Sequence, residues 1–165
     1  MVESDPSVKF DVLDRALARN LAWVAAADGK VPSVFAIDIA MLGVLCGLIP
    51  KANHWVIWTA LSAAIAGLAL IASVVSLALV AFPRLYGPKG SAIFFGGIVQ
   101  HSEEAFLKKV LVGISEELLE DLARQTYRNA EIASEKFAYI RWAMLFMFLS
   151  APFWLVSVAF LYTAR

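Results

Sequence analysis

Residues 55–81, WVIWTALSAAIAGLALIASVVSLALVA, run for 27 positions without a single charged side chain. At the 1.5 Å rise of an α-helix this segment is about 40 Å long, more than the roughly 30 Å hydrocarbon core of a bilayer requires. The excess implies a tilted span or a helix that continues past the membrane. Two more stretches are long and apolar enough to cross: residues 31–49, with Asp38 as their only charge, and residues 142–164, which are uncharged and contain Pro152 as an expected kink. Only PKANH separates the first two, so they form a hairpin. Trp55 and Trp58 on one side, and Tyr86, Tyr139 and Trp142 on the other, mark the lipid–water borders.

The composition of the 165 residues agrees: 61% are hydrophobic and the mean hydropathy is +0.73, outside the usual soluble range. The formal net charge is zero. A dedicated nucleic-acid binder would carry a basic excess, and no nucleic-acid partner is expected. The single cysteine, Cys46, sits inside an apolar run, which excludes a disulfide framework or a thiolate metal site. Residues 1–30 hold five acids and no apolar core before a cleavage site, so no signal peptide is expected. Lys and Arg set the orientation. Arg15, Arg19, Lys30, Arg84, Lys89, Arg124, Arg128, Lys136 and Arg141 flank one side of the spans, against Lys51 and Arg165 on the other. The positive-inside rule then puts the N-terminus and residues 82–141 in the cytoplasm and the C-terminus outside.

The parts outside the spans read as helices. Asp5, Pro6 and Ser7 are start signals, and Phe10, Leu13, Leu17, Leu21 and Val24 follow at three- and four-residue spacing. Gly29 and Pro32 bend or end this helix. Ser102 with Glu103 and Glu104 starts another, whose stripe is Leu107, Leu111, Ile114, Leu118 and Leu122. Gly113 interrupts it and Ser115 caps its renewal, after which no Gly or Pro occurs before the third span. The simplest role for these leucines is mutual packing. The expected fold is therefore all-α, with three transmembrane helices and a helical cytoplasmic module. That module comprises residues 1–30 and 82–141.

Four passages, NLAWVAAADGK, FPRLYGPKGSAIFFGG, HSEEAFLKKV and QTYRNAEIASEKFAYIR, occur in an order and spacing that resembles the membrane effector family of bacterial Pycsar anti-phage systems. The resemblance covers nearly the whole chain. It implies a cytoplasmic sensor of cyclic CMP or cyclic UMP, made by a partner pyrimidine cyclase after infection, and damage to the inner membrane that aborts the infection.

The local chemistry fits such a ligand, which offers one phosphate charge, a ribose hydroxyl and a flat base. Residues 82–97 bring Arg84, Lys89, four glycines and the Phe94–Phe95 pair into one short loop. A guanidinium suits bidentate contact with phosphate oxygens, and glycines let backbone N–H groups approach. Phe94 or Phe95 can stack on the base, while Asn20, Gln125 or Asn129 can read its edge. Asn20 and Asp28, eight residues apart, share one helical stripe. With Asp28, Lys30 and Lys136 these make the candidate ligand set. Each also has a plainer role: positive-inside anchors for Arg84 and Lys89, interfacial packing for the phenylalanines, a surface pair for Asp28 and Lys30. Asp38, seven residues and about 10 Å into its span, is read either as lining a pore or oligomer seam or as snorkelling.

The sequence holds neither a nucleophile–base constellation nor metal-ligand spacing, so no enzyme and no cofactor are expected. Glu116, Glu117, Glu120 and Asp121 read as a solvated face. One small ligand supplies little more energy than a two-state switch consumes, so a homo-oligomer is expected. The rival readings are a constitutive, holin-like channel without a ligand and a membrane-anchored adaptor for a protein.

Overall fold

A computed structural model describes residues 5–48, 56–84, 87–88, 90–111 and 113–163. Every regular element among them is helical: α1 (Pro6–Asp28), α2 (Val31–Leu48), α3 (Ile57–Ala81), α4 (Phe95–Ile98), α5 (Glu103–Leu111) and α6 (Glu116–Thr163). The helices α1–α2, α3 and α6 are long and apolar enough to cross a membrane, and no strand occurs among the described residues. The connection between α2 and α3, with Lys51, His54 and Trp55, lies outside them, as do Tyr86, Lys89 and Arg165.

The expected helix signals act where the sequence places them. Asp5 Oδ1 accepts the Ser7 N–H at 3.0 Å, which also holds the Asp5 carboxyl below the usual carboxylate range. Ser102 Oγ accepts from Ala105 N, and Ser115 Oγ from Leu118 N. Gly113, at φ +95°, separates α5 from α6 in a conformation that favours glycine. Helix α6 passes through Pro152 without a break.

The chain divides into two compact units, one of residues up to Ala26 with Pro83–Glu135, the other of Ala27–Phe82 with Lys136 onward. Both α1 and α6 begin in the first and end in the second.

In the second unit α2 and α3 pack side by side, joined by the later part of α6. Val34, Leu77, Ala143 and Met147 form one buried cluster, and Leu45, Ala66 and Leu70 another, closed by Phe153 and Trp154. Trp154 Nε1 donates to the Met41 carbonyl at 2.9 Å. The outer faces are apolar as well: Phe35, Ile39, Leu68, Ile71, Val75, Phe148, Leu149 and Phe160 are all exposed. So broad a patch is foreign to a soluble monomer and is what lipid requires.

In the first unit α1 is tied to α6 through Thr126. Asn20 Nδ2 donates to the Thr126 carbonyl at 2.9 Å, and Thr126 Oγ1 donates to the Leu13 carbonyl. Leu122 is buried, but Leu107, Leu111 and Ile114 are exposed, and no residue of α5 is buried. Mutual packing therefore does not account for the stripe on α5. This nine-residue helix, followed by the break at Gly113, stands on the surface of the unit.

Candidate functional site

Residues 91–94 of the loop are held by one buried carboxylate. Asp121 Oδ2 accepts the Ala92 N–H at 2.7 Å and the Ser91 hydroxyl at 3.0 Å. Ser91 Oγ in turn accepts the N–H groups of Phe94 at 2.8 Å and Ile93 at 3.1 Å, with Gln125 Nε2 at 3.5 Å. Asp121 is thus no part of a solvated acidic face. It turns inward and ties the loop to α6. A side chain at Gly97 would meet the Ser91 backbone at 2.6 Å, so glycine is required for this approach. On the other side of the loop the Gly90 carbonyl accepts Lys109 Nζ at 2.9 Å and lies 3.1 Å from His101 Nε2.

This lock sets Phe94. Its ring lies between Gly87 and Gly96, where an added Cβ would come within 2.5 Å of ring carbons on either side. Phe95 leans on it, with ring centroids 4.6 Å apart at 54°. Two of the four loop glycines therefore serve to seat an aromatic ring.

Below that ring opens a cleft of about 320 Å³, lined by Leu17 and Leu21 of α1, by Arg84, Gly87, Ile93, Phe94 and Phe95 of the loop region, and by Gln125, Arg128, Asn129 and Ile132 of α6. That volume is at the small-molecule end of ligand sites. Arg84 is anchored by Glu135, whose Oε2 accepts from Nε at 3.1 Å; the arginine is mostly buried and the glutamate half-exposed. Arg128 pairs with Glu131 at 3.1 Å. Asn129 Nδ2 donates to the Gln125 carbonyl at 2.9 Å, which orients its amide. Among the described residues lining the cleft there are two guanidiniums, two amides and two aromatic rings, and no carboxylate.

Of the sequence-derived candidates, the structure brings Arg84, Phe94, Phe95, Gln125 and Asn129 to this one cleft. Asn20 does not line the cleft; its amide holds α1 on α6 through the Thr126 carbonyl. Lys89 lies outside the described residues. Asp28, Lys30 and Lys136 belong to the other unit. There Lys136 Nζ donates to Asp28 Oδ1, and Lys30 sits 5.2 Å from the centre of the Phe137 ring. Lys136 is buried, and its pairing with Asp28 gives it the counter-charge that burial demands. Asp38 does not reach the surface of the chain: it is wholly buried and bonded to Ser73 of α3.

Sequence reading missed Arg128, Ile93 and Ile132 as wall residues and Ser91–Asp121 as the lock. A spacing signal existed for Arg128, since Gln125, Asn129 and Ile132 lie on the same helical face at three- and four-residue steps. No local signal marks the lock, whose partners are 30 residues apart.

The lock carries a prediction. Asp121→Ala removes the acceptor of a backbone N–H and a hydroxyl, each charge-assisted bond being worth about 1.5–3 kcal/mol. Amides 92–94 should then exchange hydrogen at least about tenfold faster than in the unaltered protein, while Asp121→Asn, which keeps an acceptor oxygen, should protect them. Unchanged exchange in the alanine variant would show that the loop holds itself.

Residues 12–163 match the model of the PycTM family, the Pycsar effector protein domain. No curated protein and no solved structure matches the chain.

Proposed function

The chain belongs to the Pycsar effector protein family, the transmembrane effectors of an anti-phage defence system, and we propose that it binds cyclic CMP or cyclic UMP in the Arg84–Phe94–Gln125 cleft and responds by impairing the inner membrane, aborting the infection. The observation supporting this reading is the lining of the cleft: two guanidiniums, each positioned by a glutamate that does not itself line the cleft, suit a phosphate, a seated phenylalanine pair suits a base, and oriented amides suit the base edge. Arg84 takes the phosphate, with Arg128 as a second cation on α6. The base stacks on Phe94 or Phe95, and Asn129 and Gln125 meet its polar edge.

Magnitudes set what such binding can do. A ligand of about 20 heavy atoms at roughly 0.3 kcal/mol each yields about 6 kcal/mol, a Kd in the tens of micromolar. Moving a two-state protein from 1:99 to 99:1 takes about 5.5 kcal/mol of differential affinity. One site is barely sufficient, so several subunits act together, each contributing its ligand. The signal reaches the spans through α6, whose first turns bear Gln125 and Asn129 and which continues as one helix through Thr163. Only a ligand that contacts two states differently can shift their balance.

Titration calorimetry of the purified protein tests the reading. Cyclic CMP or cyclic UMP should bind with micromolar Kd and cyclic AMP at least about tenfold more weakly, because the larger purine demands more of a cleft of about 320 Å³. No heat with either pyrimidine nucleotide would overturn it.

The orientation has its own check. In a Cys46→Ser background, a cysteine at exposed Gln100 should react with an impermeant maleimide only after the inner membrane is opened. One at Lys51 should react in intact spheroplasts. Reversed labelling would put the cleft outside the cell, away from any cytoplasmic nucleotide.

A further inference from the structure

The membrane-spanning unit is apolar outside and hydroxyl-lined within. On α3 the buried positions Thr59, Ser62, Ala66, Ala69, Ser73 and Ser76 recur at three- and four-residue steps. From first to last they cover about 25 Å of helix, most of the roughly 30 Å hydrocarbon core. Helix α6 adds Ser150 and Ser157, both wholly buried, and Ser157 Oγ meets Ser62 Oγ at 2.9 Å. Small residues and hydroxyls are ordinary packing material between membrane helices, so the stripe by itself indicates only close approach.

Asp38 adds a second, independent observation. Its side chain is 0% exposed, its Oδ2 lies 2.6 Å from Ser73 Oγ, and its Oδ1 has no partner among the described residues. Ser73 Oγ also lies 2.9 Å from the Ala143 carbonyl on α6. A hydroxyl has one proton to donate. Ser73 cannot supply both short contacts, so the second proton belongs to the carboxyl: Asp38 donates to Ser73, and Ser73 donates to Ala143. The surroundings agree. Residues 57–81 of α3 and 142–163 of α6 hold no charge, and the other titratable groups on these helices are Cys46, exposed on α2, and Tyr162, exposed near the end of α6. Lys30 is engaged with Phe137 and Lys136 with Asp28, each two helical turns along its own chain from this level, and Arg141 is exposed. An ionised carboxylate here would be buried with one hydrogen bond and no counter-charge, at a cost of several kcal/mol.

We propose that Asp38 is a proton-carrying site on a latent path through this unit, along Ser73, Ser150 and the Ser62–Ser157 pair, and that the membrane is impaired by proton leak. This rests on the reading above that the chain permeabilises its membrane on binding nucleotide. Ser150 stands seven residues from Ala143 and seven from Ser157, about 10 Å from each level. Hydroxyls that far apart cannot pass a proton directly, since an O–H···O bond spans about 2.8 Å, and each gap requires roughly two or three waters. In the packed unit Ala66, Leu70, Ala143 and Leu77 fill the seam and are 0–1% exposed, so the line is interrupted. A slight separation of α3 from α6, enough for a single file of water, completes it. Asp38 then releases its proton to water on one side and takes another from the other side. Every proton that enters leaves, and no other bond changes. A hydrated potassium ion or a dye needs a far wider opening.

The test uses the full chain in proteoliposomes with cyclic CMP and cyclic UMP, following internal pH, potassium and trapped carboxyfluorescein separately. Asp38→Asn preserves the hydrogen bond to Ser73 through its amide but cannot carry a proton, and Asp38→Glu keeps an acid. Nucleotide-triggered proton flux should fall at least tenfold in the asparagine variant and recover in part in the glutamate one, with potassium and dye retained throughout. Without any nucleotide, the infrared spectrum should contain a protonated-carboxyl stretch that disappears in Asp38→Asn. Potassium or dye escaping as fast as protons, unaffected by Asp38→Asn, would overturn the proton path and leave membrane impairment standing. No flux of any species would overturn that reading and this one with it. Absence of the carboxyl band would refute the protonated site directly.

Discussion

Replacing Arg84 with alanine should weaken cyclic-nucleotide binding about a hundredfold while leaving the protein folded and inserted. The guanidinium is 15% exposed and aimed into the cleft by Glu135, so its geometry is set before a ligand arrives. Two charge-assisted bonds to phosphate at about 1.5–3 kcal/mol each exceed the roughly 2.8 kcal/mol that a hundredfold represents, which allows for partial replacement by water. From a total near 6 kcal/mol, that loss moves the Kd into the millimolar range. The fold should persist, because the loop and α1 are held to α6 by the bonds of Asp121 and Asn20, none of which involves Arg84. Glu135→Gln is the companion: it retains an acceptor for the Arg84 Nε and removes a negative charge beside the phosphate, so affinity should hold or rise. Calorimetry decides both. Unchanged affinity in Arg84→Ala would remove this residue as the phosphate ligand.

Asp38→Leu should abolish nucleotide-triggered depolarisation in cells carrying an inducible pyrimidine cyclase, read with a membrane-potential dye, while nucleotide affinity stays within about twofold. Leucine has the same branched shape as the aspartate it replaces, with two bulkier methyls in place of the oxygens, and Ser73 retains the Ala143 carbonyl as its acceptor. Replacing a buried polar group by an apolar one of similar shape is often neutral for folding or stabilising. The cleft lies wholly in the other unit, with Asp38 absent from its walls, so binding has no reason to change. Depolarisation equal to that of the unaltered protein would deprive Asp38 of any part in the leak.

Several features were readable because they depend on neighbours in the chain. An uncharged run of 27 residues leaves one conformation that can cross a bilayer, so the spans and the all-helical class followed from composition and length. The caps at Asp5, Ser102 and Ser115 and the break at Gly113 use contacts within a few residues, and they fall where the sequence marks them. The loop at 82–97 announced itself by packing a cation, glycines and aromatics into sixteen positions.

What the sequence could not assign is which of several equally suited polar residues would be spent on holding the structure. Asn20 and Gln125 are both helical amides, yet Asn20 is committed to Thr126 while Gln125 reaches the cleft. Asp121 sits in an acidic run whose default is solvent, and only the approach of Ser91 and Ala92 turns it inward. Asp28 and Lys136, 108 residues apart, neutralise each other, a pairing that no spacing rule encodes. Local order is determined by short-range hydrogen bonding and by the incompatibility of charge with lipid, and both are written along the chain. The partner of a buried polar group is decided only when packing removes water and leaves it the few neighbours within about 3 Å, and for Asp38 those neighbours are Ser73 on α3 and, through it, Ala143 on α6.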